Sequence, residues 1–202
     1  MSPKTGRQAA VQGKLDGLCG IYSIINSISL IEKNHMSQED RKALFVYLVD
    51  LLDDGRGIGT IIQSGISFRL LGKLIDVASR WRASRTKEII CRQTAMKRVP
   101  DDIEDFWSVL ANHVDMDKRQ VAILGISGKY DHWTVVRSVS RKRLTLHDSD
   151  GLKHLDIGRC GLEPGKQGNH VLWSTQTYLL RVEEDRASTC DAKVGELMQR
   201  GR

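Results

Sequence analysis

The chain has no C-x-x-C pair, and its cysteines and histidines do not fall at the spacing of a zinc site, so a structural zinc module is excluded and no metal is expected. It has no G-K-[ST] phosphate loop. Gly55-Arg56-Gly57-Ile58-Gly59-Thr60 follows no hydrophobic strand and reads as a flexible connection whose glycines take positive φ. No cofactor is expected. The first residues, Met1 to Gln8, contain no apolar core of a secretory signal, and no apolar run approaches the length of a membrane span. The expected location is the cytoplasm, or outside the cell by a non-Sec route. No basic run interleaved with aromatics appears, so nucleic-acid binding is not signalled. The densest basic cluster, Arg137 to Arg143, reads as a solvated hairpin end. There is no internal repeat and no linker.

What the chain does have is an apolar content of 40% over 202 residues, enough for one domain with a core. Its 31 Lys+Arg against 25 Asp+Glu give a modest net charge of +6, spread along the sequence. One domain is expected over residues 1–182, followed by a charged, weakly ordered tail over 183–202. Cys19, Cys91, Cys160 and Cys190 are expected as free thiols in a reducing compartment.

The pattern falls into two halves. Ile21, Ile24, Ile25 and Ile28 follow the i, i+3, i+4, i+7 spacing of a buried helix running to about Glu32. Ser37 opens a second helix with Asp40 three residues on, a variant of the capping box. A third helix is expected over 67–81. A short strand follows at 87–91, then a fourth helix with Pro100 at its first position. From about Arg119 the texture changes to strands at 120–126, 132–139, 144–148 and 170–182. Helices first and an antiparallel meander after predict an α+β fold, with a helical layer on one side of the sheet.

Cys19 stands at the joint between a glycine-punctuated turn and the first helix. At a helix start the unpaired N–H groups and the positive dipole end favour an anion, which lowers a thiol's pKa and makes it a better nucleophile. Gly17 and Gly20 are expected to leave the sulfur's flanks open. A buried structural cysteine fits the same position. His132 starts one strand and Asp148 ends the next, so an antiparallel hairpin brings them together. Asp148 then orients one ring nitrogen and leaves the other for Cys19. Asp150 competes for that role, and a turn-capping Asp148 or a surface His132 are the plainer alternatives. The side-chain N–H of Gln12, with the Cys19 backbone N–H, suits an oxyanion; bracing the loop is its other use. Asp16 reads as the helix cap. Trp133 reads either as a shield over the His–Asp bond or as a core residue.

Gln12, Cys19-Gly20 opening an apolar helix, His132-Trp133-Thr134-Val135-Val136, and Leu146-His147-Asp148-Ser149-Asp150-Gly151 together resemble the papain-like cysteine peptidases. The closest likeness is to their bacterial C39-like branch, and it covers about residues 8–182. The spacing from Gln12 to Cys19 is one residue longer than in papain. The resemblance implies a papain-like fold, with Gln12 as oxyanion donor, Cys19 as nucleophile, His132 as general base and acid, and Asp148 as orienter. It implies a thiol protease acting on a peptide or isopeptide bond, the substrate being a peptide, a host protein or a ubiquitin-like conjugate. A glutamine deamidase or acyl/amide transferase uses the same triad, and a non-catalytic papain-fold module would bind a partner in the cleft.

Overall fold

A computed structural model describes residues 9, 17–34, 36–52, 58–128, 131–162 and 169–184. Gln12, Asp16, Cys190 and nearly all of the expected tail lie outside the described residues.

The elements are α1 (Cys19–Ile31), α2 (Gln38–Asp50), α3 (Ile58–Ser64), α4 (Phe68–Thr86), β1 (Glu88–Thr94), α5 (Ile103–His113), β2 (Gln120–Gly128), β3 (His132–Val139), β4 (Arg143–Leu146), β5 (His154–Asp156), β6 (Cys160–Gly161) and β7 (His170–Glu184). Among the described residues the strands form one sheet, in the order β1-β7-β2-β3-β4-β5. Its neighbours pair antiparallel, except β6, which lies parallel to β7. The protein is therefore an α+β fold of helices and a mainly antiparallel sheet.

Helix α1 is the centre of the core: twelve of its thirteen residues are buried. It packs on β2 and β3 and is covered on its other sides by α2 and α4. Its far end carries an acid, Glu32, where the helix dipole is negative. Arg82 of α4 pairs with that carboxylate, and Arg119 donates to Ile31 O and to Glu88 Oε2 (2.6 Å). Burial raises the Glu32 pKa, with the Arg82 charge working against it.

The expectation of helices on one side only is corrected. The apolar residues of β2 fall on both parities. Val121 and Ile123 belong to the core beneath α1, α2 and α4, whereas Ala122, Leu124 and Ile126 belong to a second core with Phe106, Trp107 and Leu110 of α5. A strand apolar on both faces needs cover on both, so α5 packs on the opposite side.

Other expectations shift locally. Ser37 caps α2 by accepting from Asp40 N at 3.0 Å. The stretch read as a flexible glycine connection becomes helical at Ile58. Helix α4 continues to Thr86, five residues further than its apolar spacing suggested, and stops where Lys87 turns left-handed at φ 60°. Pro100 is not the first residue of α5, which starts at Ile103 behind Asp102, whose side chain accepts from Glu104 N. β1 runs on to Thr94 and joins the sheet beside β7. Two short strands between β4 and β7, β5 and β6, add to the expected strands. β7 reaches Glu184, two residues beyond the expected domain end.

Candidate active site

Cys19 is the first residue of α1, and its N-cap, Leu18, offers no capping side chain. The first turn carries no acid. Its N–H groups are thus not answered by a carboxylate from the helix itself, and an anion in front of them is favoured. Gly17 and Gly20 do not open the sulfur's flanks; each is a close-packing position. Gly17 N donates to Ile62 O at 3.0 Å, and a Cβ on Gly17 would collide with that carbonyl. A Cβ on Gly20 would press on the side chains of Ile66 and Leu71 at 3.1–3.3 Å. The glycines let the end of α3 and the start of α4 close over the beginning of α1.

The strand register explains how the other two residues meet. Val136 pairs with Leu146, and His147 N donates to Val135 O at 2.8 Å, one rung past the end of β4. Continued one residue, that register sets Asp148 across from Thr134, with His132 diagonal to it. A diagonal neighbour is within reach of a long side chain. His132 Nε2 and Asp148 Oδ2 are 2.6 Å apart, with the Asp148 side chain fully buried.

Asp148 is held from behind. The turn Ser149–Gly151 folds the backbone N–H groups of Asp150 and Leu152 onto Oδ1, at 2.9 and 3.0 Å. This is the Asx-turn habit of aspartate, and Gly151 supports it at φ 83°. Asp150, the competing orienter, contributes its N–H while the residue itself is exposed. Asp148 is the carboxylate that pairs with His132.

Burial disfavours the charged form of both partners, and the pair overrides it in both. His132 rises to about 9, against burial, through hydrogen bonding to Asp148 and then to Cys19. The Asp148 carboxyl is lowered, again against burial, chiefly by His132. With Nε2 committed to Asp148, Nδ1 is the nitrogen left for the Cys19 thiol, and Cys19 is among the groups that raise His132. All three residues are less than a tenth exposed.

Ser23 and Trp133 fix the spacing between α1 and β3. Ser23, one turn after Cys19, donates to Trp133 O at 2.8 Å, next to His132. Trp133 Nε1 donates to Ile66 O at 2.8 Å. Trp133 is a core residue, 4% exposed, and meets Trp173 edge-on at 5.4 Å. Gly125 permits this: a Cβ there would collide with Trp173 and crowd Trp133. Trp173 stands where β7 bulges, the step Leu124 to Ile126 facing the longer step Thr177 to Leu172. The signal in the sequence was a serine at i+4 from the cysteine and a glycine inside an apolar strand.

The arrangement can carry out nucleophilic chemistry: a sulfur at a helix start, a charged imidazole at neutral pH, and a buried carboxylate orienting it. Cys160 is also a free thiol, but burial pushes it up to about 12. Among the described residues no three His, Cys, Asp or Glu side chains converge to hold a metal ion, and no helix is long and apolar enough to cross a membrane. No known family model, curated protein or solved structure matches the chain.

Proposed function

We propose that this protein is a papain-like thiol hydrolase that cleaves a peptide or isopeptide bond. The observation that carries the reading is the buried 2.6 Å contact between His132 and Asp148 beside Cys19 at the start of α1. Three residue types that chemistry requires together converge from α1, β3 and the turn after β4. A structural cysteine does not need a charged histidine, and a surface histidine does not need a buried carboxylate.

In this reading the Cys19 sulfur attacks the substrate carbonyl carbon. The carbonyl oxygen becomes an oxyanion in front of the Cys19 backbone N–H, with Gln12 as the second donor that the resemblance implies. His132 gives its proton to the leaving amine, the C–N bond breaks, and a thioester remains. Neutral His132 then takes a proton from water, whose oxygen attacks the thioester carbonyl. The C–S bond breaks, and a carboxylate product leaves. Asp148 stays ionised and keeps Nε2 protonated.

The test compares wild-type protein with Cys19→Ala on a mixture of peptide and isopeptide substrates. New amino termini formed by the wild type alone support hydrolysis. Ammonia released without chain cleavage replaces it with glutamine deamidation at the same triad. Neither product, with a Cys19 that resists thiol reagents, replaces it with a partner-binding module.

A further inference from the structure

Asp148 carries four acceptor positions on its two oxygens. Oδ1 accepts from Asp150 N and Leu152 N, and Oδ2 faces His132 Nε2. One position on Oδ2 is left over. The register of β3 and the residues after β4 sets Thr134 across from Asp148, on the same face as His132. Thr134 is fully buried, and its Oγ1 makes no hydrogen bond among the described residues. A buried hydroxyl without a partner is costly, and a carboxylate with one free acceptor position stands opposite it.

We propose that Thr134 is a positioning residue for the triad: its hydroxyl donates to the remaining acceptor position on Asp148 Oδ2 and so holds the carboxylate ionised and turned toward His132. Position 134 reads in the sequence as one more β-branched residue of an apolar strand. A valine there would serve the core equally well. The hydroxyl is the part that packing does not explain. Thr134 is among the groups that lower the Asp148 carboxyl, together with His132 and the Leu152 N–H. The ionisable groups that face this carboxylate are His132 on β3 and, through the ring, Cys19 on α1. His147 precedes Asp148 in the chain and is buried; Asp150 follows it and is exposed.

The inference rests on Cys19, His132 and Asp148 acting as a triad, and its test is independent of turnover. The side-chain carboxyl carbon of Asp148 is titrated by NMR in wild type, Thr134→Val and Thr134→Ser, with the amide spectrum reporting the fold. Loss of one donor raises the Asp148 midpoint by about one pH unit in Thr134→Val, and Thr134→Ser restores the wild-type midpoint. Thr134→Ala, which adds no bulk, takes the place of the valine variant if that one fails to fold. An unchanged midpoint in the variant lacking the hydroxyl overturns the inference, as does a serine variant that shifts as far as the valine one. A protein in which the Asp148 midpoint depends on the Thr134 hydroxyl as above but Cys19 does not react overturns the hydrolase reading instead, and leaves the Thr134 bond standing.

Discussion

Replacing Asp148 by asparagine keeps the side chain's shape and an oxygen for the Asp150 and Leu152 amides, and removes the charge that faces His132. The wild-type pair lifts His132 from 6.5 to about 9, which corresponds to about 3 kcal/mol between its charged and neutral forms. Burial opposes the charged form, and the Asp148 hydrogen bond is the largest influence overcoming it, ahead of Cys19. In Asp148→Asn burial wins, and the midpoint falls to the ordinary value or below. At pH 7 the charged fraction of His132 drops from nearly all to about a quarter or less. The sign follows for stability. A raised histidine pKa contributes stability that is complete below about 6.5 and is lost as pH rises through about 9. The variant lacks that contribution, so its deficit in urea unfolding is larger at about pH 6 than at about pH 10. The direct assay is the NMR titration of the His132 ring in both proteins. A wild-type midpoint near the ordinary histidine value, or a variant that keeps the wild-type midpoint, refutes a His132 charged by Asp148.

Gly125→Ala pushes a methyl into the Trp173 and Trp133 rings. It lowers stability by about 1–3 kcal/mol in chemical unfolding, with a change in tryptophan emission; an unchanged protein would show that the indoles do not depend on that glycine. Arg82→Ala removes the guanidinium that pairs with the buried Glu32 carboxylate, 2% exposed as a side chain. The loss is about 3–5 kcal/mol at neutral pH. Burial already raises the Glu32 pKa, so the variant recovers stability on acidification, when the carboxyl is protonated; equal losses at about pH 4 and about pH 7 would contradict this.

The parts of the fold legible in the sequence were those where one local rule acted without competition. The isoleucine spacing of α1 holds because the helix is buried almost all round. Ser37 could be read as a cap because its partner N–H lies three residues away. His132 and Asp148 could be brought together because a short hairpin fixes which residues face each other. Counting back from the hairpin alone left Asp150 open, since the strand register continued far enough would set it opposite His132. The Asx turn at Asp148 breaks that register and sends Asp150 outward. What was not legible depended on contacts distant in sequence. α3 carries Gly59 and spans seven residues, too short for its own pattern to show; Ile61 and Ile62 pack on the core, and Gly17 closes on its end. The second face of β2 was hidden because an apolar run does not say what covers each side. Gly17 and Gly20 were read by their freedom, when what mattered was the missing Cβ.

The measurement closest to the central claim is the alkylation rate of each cysteine against pH, read by mass spectrometry, in wild type and His132→Ala. Cys91 and Cys160 serve as internal references, the second held unreactive by its high pKa. Cys19 is expected to react fastest of the three at about pH 6 and to lose that lead in His132→Ala. A Cys19 that reacts no faster than Cys91, or that keeps its lead in His132→Ala, would contradict a Cys19–His132 catalytic pair.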